Sequence, residues 1–186
     1  MTTDAFTLIE ALVALLIFSI LCSLATPSWL YFQKSQQANL VMDTLETAIH
    51  LTQTLAITSH QALNLCPSAD QLHCQTPWRG TLLIFIYRPH REQPVKTTDI
   101  LERIPLTLKA GTLTLRHFRQ NPLLSFDSKG LLLHDNGTFH YCAADFDVRF
   151  TRALAINTVG RTRFLTERNS LGQLVDSDGV PILCGG

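Results

Sequence analysis

The chain has 186 residues, room for one domain with a sizeable core beside a membrane segment and little more. Charged residues make up only 16% and the formal net charge is +0, a balance that fits neither a disordered polyelectrolyte nor a protein that coats nucleic acid by bulk charge. Within that neutral total the cations are unevenly typed, eleven Arg against four Lys, and unevenly placed. Arg149, Arg152, Arg161, Arg163 and Arg168 fall in one short stretch that holds a single acid outside the Asp145/Asp147 pair, Glu167.

Only Met1 to Ala5 precede the first apolar residue, Phe6, and the run from Phe6 to Ala25 carries one charge, Glu10. Twenty helical residues span roughly 30 Å, the thickness of a bilayer's hydrocarbon core. A cleaved secretory signal would need a basic start, a shorter apolar run and a small-residue site after it. Residues 6–27 are therefore expected to form a retained transmembrane helix. A carboxylate at mid-membrane depth costs about 2.5–3.5 kcal/mol, so Glu10 needs a partner or a place at the interface.

From residue 28 to residue 63 the pattern becomes amphipathic. Ala38, Val41, Met42, Leu45, Ala48, Ile49, Leu55 and Ala56 recur at steps of three and four, which predicts a continuation of the same helix packed on its own domain. Residues 64–186 read as a β-rich head. Strands are expected over Thr81–Tyr87, Arg103–Leu108, Leu113–Phe118, Leu123–Phe126, Leu131–His134, Thr138–Cys142 and Val148–Ile156. Ala110-Gly111, Asn121-Pro122, Asp127-Ser128-Lys129-Gly130 and Asp135-Asn136-Gly137 supply the turns between them. The resulting fold class is α+β, a long N-terminal helix on an antiparallel sheet or two packed sheets. Residues 88–99, with Pro89 and Pro94, are the expected mobile loop.

Cys22 lies in the apolar run, while Cys66, Cys74, Cys142 and Cys184 belong to the head and allow three pairings. The expected set is Cys66–Cys74, closing a tight loop, with Cys142–Cys184, stapling the tail to the sheet. Two disulfides place the head in an oxidising compartment such as a periplasm. No enzymatic constellation is present. His50, His60, His73, His90, His117, His134 and His140 are scattered without zinc-protease spacing, and no Walker loop, GxSxG or GxGxxG occurs. Cys66, His73 and Cys74 read as a disulfide loop rather than metal ligands. Asp176-Ser177-Asp178-Gly179 reads as a solvated turn rather than a calcium loop. No cofactor, metal or catalytic residue is expected.

Phe6-Thr7-Leu8-Ile9-Glu10, the short leader, the apolar run and Pro27 together resemble the leader junction of type IV pilins and pseudopilins. Ala5 stands where that family usually has Gly, and Asp4 where it usually has Lys or Arg. The resemblance implies cleavage by a prepilin peptidase between Ala5 and Phe6 and methylation of Phe6. It also implies pairing of Glu10 with the terminal amine of a neighbouring subunit, and a kink at Pro27. In the head, Cys66-Pro67-Ser68-Ala69-Asp70 with Cys74, Trp78-Arg79-Gly80, Asn136-Gly137-Thr138-Phe139 and Ala153 to Asn157 look like the GspH/FimT group of minor pilins. Its members sit in the bacterial inner membrane by one helix, head in the periplasm, and assemble with other pilin or pseudopilin subunits.

Gly160-Arg161-Thr162-Arg163 resembles the DNA-binding element of FimT-type minor pilins used in natural transformation. In an extended segment Arg161 and Arg163 share a face about 6.6 Å apart along the strand, a spacing suited to successive phosphates. Gly160, Arg161 and Arg163, joined by Arg152, are the expected DNA-binding residues. The alternative is a GspH-like structural subunit of a type II secretion pseudopilus.

Overall fold

The computed structural model describes residues 7–89, 91–94, 96–117, 123–133, 136–176 and 178–184, with the backbone alone at residues 24, 25, 27 and 117. The chain divides into two units, Met1–Gln36 and Gln37–Gly186. Helix α1, Leu8–Ser59, begins in the first and ends in the second. In the first unit its described side chains, Ser35 apart, are exposed, and the run is apolar all round, the pattern of a helix suited to apolar surroundings.

Among its described residues the second unit holds eight strands: β1 (Leu63–Ser68), β2 (Gly80–Ile86), β3 (Ile100–Leu106), β4 (Thr112–His117), β5 (Leu124–Phe126), β6 (Gly137–Cys142), β7 (Arg152–Ile156) and β8 (Thr162–Leu165). They form two antiparallel sheets, ordered β3-β2-β1-β5 and β4-β6-β7-β8. The α1 stripe lies against both. Ala38, Val41, Met42, Leu45, Ala48, Ile49 and Ala56 are buried in one cluster with Leu63, Leu65, Leu82 and Ile84 of the first sheet and Leu113, Phe139, Leu154 and Ile156 of the second. Leu55 packs against its edge. Trp78 anchors this core, meeting Phe139 edge-on at 4.7 Å between ring centroids.

The far faces are covered separately. Cys66, Cys74, Leu83, Phe85, Ile100 and Leu123 cluster on the first sheet, where the Cys66–Cys74 disulfide closes its loop. On the second sheet Ala153 and Leu165 are covered by Leu174 and Ile182 of the C-terminal tail, which the Cys142–Cys184 disulfide ties to β6.

Several elements differ from the expected ones. α1 closes at Ser59, not at residue 63, because His60 adopts a left-handed conformation (φ 54°) and Gln61 N–H reaches back to the Ala56 carbonyl at 3.3 Å. The segment expected to end the helix is strand β1, buried along its whole length. Pro67 is tolerated there because pairing with β5 stops at Leu65 and the Pro67 carbonyl turns to Gln75 N–H at 2.8 Å. Val148–Ile156 splits into a 3-10 turn, Val148–Phe150, and β7, since the Asp147 carboxylate accepts the Arg149 N–H and starts the turn. Leu131–His134 yields only a bridge at Leu132, with His134 outside the described residues, as Phe118 is. The stretch expected to be a mobile loop is anchored: the Gln93 amide bonds both the N–H and the carbonyl of Cys74, at 2.6 and 3.0 Å, and Arg88 pairs with Asp99 at 3.2 Å.

Candidate functional site

Two regions carry the candidate functional residues, the start of α1 and the outer face of the second sheet. Ala5 and Phe6 lie outside the described residues. Thr7 caps the start of α1: its hydroxyl oxygen accepts the Glu10 N–H at 3.3 Å and its hydrogen is directed to the Glu10 carboxylate at 3.5 Å. An acid here also meets the positive end of the helix dipole. From Leu8 onward α1 contains an 18-residue window of mean hydropathy 2.6, none of it buried, long and apolar enough to cross a membrane. The hydroxyls of Ser19, Ser23 and Thr26 donate to carbonyls of the same helix at 2.8, 2.7 and 2.8 Å, so an apolar surrounding would not leave these donors unsatisfied.

The β7–β8 connection is a tight turn over Asn157 to Gly160. Gly160 N–H donates to the Asn157 carbonyl at 2.9 Å, Asn157 N–H to the Arg161 carbonyl at 3.1 Å, and Arg161 N–H to the Asn157 side chain at 2.9 Å. Gly160 is required by this geometry. Its φ is +77°, and a Cβ would overlap the amide of Gln53 from α1. That amide pins two turns at once, donating to the Gly130 carbonyl at 2.8 Å and the Val159 carbonyl at 3.1 Å. On the inner face of β8 the Thr162 hydroxyl donates to Glu46 at 2.8 Å and lies 3.0 Å from His50 Nε2. Strand β8 is thus held to the helix from beneath.

Alternation then turns Arg161 and Arg163 to the outer face, where both are exposed. The register sets Arg163 opposite Ala155, Ala155 opposite Thr138 and Thr138 opposite Arg116. Arg116, which the sequence reading did not single out, is therefore in the same cross-strand row, three strand spacings or about 14 Å away. A small polar recess of about 120 Å³ beside β8 is lined by Arg163, Glu167 and Asp176 among others, so acids flank the row. Buried His140, opposite Ala153 on the same face, has its pKa pushed down to about 4, first by burial and then by the Arg116 cation, with Asp176 opposing.

Arg152 does not join Arg161 and Arg163. It is half-buried, its position in β7 shares the inner face with Leu154, and its guanidinium donates to Asn39 Oδ1 of α1 at 3.0 Å and to the Arg149 carbonyl at 2.9 Å. Nor do the flanking arginines. Arg149 forks onto Asp147, with contacts at 2.7 and 3.0 Å. Arg168 donates to the carbonyls of Val148 and Gly172, each at 2.7 Å, and of Thr151 at 3.2 Å. The local arginine excess is, for these three, structural.

The model for the prokaryotic N-terminal methylation motif matches residues 3–26, and that of the type II transport protein GspH matches residues 41–160. No curated protein matches the chain. Among solved structures, the type IV minor pilin FimU of Pseudomonas aeruginosa superposes with a TM-score of 0.52 at 17% identity, over 72% of this chain and 91% of that one. The minor pseudopilin EpsH from the type 2 secretion system of Vibrio cholerae gives 0.48 at 14% identity, over 70% of this chain and 97% of that one. With a family model covering more than half of its length, this chain belongs to the GspH family of type II transport proteins, a membrane-anchored minor pilin or pseudopilin.

Proposed function

We propose that this protein is a minor type IV pilin whose head binds DNA without sequence preference, for uptake in natural transformation. The observation behind this reading is the exposure of two of the clustered arginines on one sheet face. Arg161 and Arg163 stand exposed on the outer face of the second sheet, with Arg116 in the Arg163 row. Guanidinium groups so placed engage backbone phosphates, which supply affinity without reading bases. The acids beside Arg163 keep that affinity modest. In this reading a prepilin peptidase cuts before Phe6, Phe6 is methylated, Glu10 meets a neighbour's terminal amine, and the disulfide-bonded head lies in the periplasm.

Full-length protein in detergent, titrated with labelled duplex at several salt concentrations, tests it. With about three phosphates neutralised, the log–log slope is roughly −2.7. Arg161→Gln with Arg163→Gln should flatten it by about two units for every sequence alike, and Lys at both positions should restore part of the loss, since charge returns without the planar fork. Absence of binding at low salt, or a double Gln variant that binds like wild type, turns the assignment to the second reading. That reading is a structural subunit of a type II secretion pseudopilus. The match to the model of the type II transport protein GspH favours it.

A further inference from the structure

Near the end of the first unit, Trp29, Leu30, Tyr31 and Phe32 are 60%, 53%, 50% and 52% exposed. Successive helical residues turn by about 100°, so four in a row encircle the axis rather than line one stripe. A stripe fits one partner helix, whereas a ring fits surroundings that are alike on every side. The ring also stands at a boundary. The apolar run precedes it, and Gln33, Lys34, Ser35 and Gln36 follow. Trp and Tyr combine an apolar body with a polar tip and concentrate at the headgroup level of bilayers.

We propose that Trp29, Leu30, Tyr31 and Phe32 form an interfacial belt that seats in the phospholipid headgroup layer and sets the depth of α1. The inference rests on the reading that α1 spans the bilayer. Nineteen residues separate Glu10 from Trp29, about 28 Å along a helix, close to the roughly 30 Å of a hydrocarbon core. With the belt at one headgroup layer, the Glu10 carboxylate reaches the other, where Thr7 and water meet it. The charge in the apolar run is then an interfacial charge, available to a neighbouring subunit at the membrane surface. Cys22 falls about 10 Å inside the belt, within the hydrocarbon.

The test uses full-length protein in vesicles of phosphatidylethanolamine and phosphatidylglycerol, with part of the lipid brominated either near the headgroup or near the acyl-chain end. A Trp29→Phe control subtracts the emission of Trp78, which is buried in the head. Headgroup-proximal bromine should quench Trp29 at least about twofold more than deep bromine. Cys22, the one cysteine outside the two disulfides, should react with a water-soluble maleimide at least about tenfold more slowly in vesicles than in denaturant. Deeper quenching, or rapid Cys22 labelling, overturns the depth assignment. Protein that floats with vesicles yet shows no quenching puts the ring in water or against a second copy of the chain, and overturns the belt alone. Protein that fails to float overturns the spanning reading together with it.

Discussion

Replacing Gly160 by alanine separates the architecture of the β7–β8 turn from its chemistry. An L-residue at φ +77° costs about 1–2 kcal/mol. The new Cβ also overlaps the Gln53 amide, which must withdraw from the Gly130 and Val159 carbonyls. Leaving a carbonyl without its donor costs about 1–3 kcal/mol where water cannot replace it, and less at the exposed Val159. The sum is about 3 kcal/mol, a large share of the roughly 5–15 kcal/mol that holds a domain folded. Urea denaturation of the full-length protein in detergent, followed by Trp78 fluorescence, should show a lower midpoint with unchanged slope. In a Gln53→Ala background the overlap with the amide is absent and only the 3.0 Å approach to the Gly130 carbonyl remains, so the same substitution should cost mainly the backbone part, about 1–2 kcal/mol. Gly160→Asn, which tolerates left-handed backbone yet carries a Cβ, should fall between glycine and alanine in the wild-type background. Equal costs of Gly160→Ala in both backgrounds, or a cost below about 0.5 kcal/mol in either, would refute this account.

Opening the Cys142–Cys184 bridge by Cys184→Ser should cost about 4 kcal/mol by loop entropy, against about 2.5 kcal/mol for Cys66–Cys74, as their sequence separations of 42 and 8 imply; parallel denaturant titrations give the order. His140 has a native pKa of about 4 against an ordinary 6.5, so the unfolded chain takes the proton first as pH falls. Stability present above pH 6.5 is then lost through pH 4, by up to about 3 kcal/mol, and His140→Gln should flatten that window in pH-dependent denaturation. Glu10→Gln should insert in membranes as wild type does but be depleted from sheared filaments, because the charge that would meet a neighbour's amine is gone; normal recovery in filaments would contradict a docking role.

How much of this was legible before the fold depended on the range of the interactions involved. The α1 stripe was readable because a helix writes its buried face at steps of three and four, and Ala38 to Ala56 follow that period. Most strands of the head were bracketed by Gly, Asn and Asp turns within a few residues of their ends. Strand β1 was not, since Asn64, Cys66 and Pro67 carry loop propensities, and only pairing with β2 and β5 on either side makes the segment extended. The helix end was missed for a similar reason. A left-handed histidine at residue 60 has no compositional mark of the kind a glycine leaves.

By itself the sequence determined what is local: an apolar helix with one acid at its start, cysteines in the head, and two arginines separated by one residue. The tertiary structure decided which of those charges can act outward. Arg152 is turned inward by Asn39, 113 positions earlier, and Gly160 is imposed by Gln53, whose partner Gly130 lies 77 positions along the chain. Arg116 enters the Arg163 row only through the register of four strands. A side chain's availability depends on which groups folding brings within hydrogen-bond reach, and those groups came from α1 and from distant turns rather than from sequence neighbours.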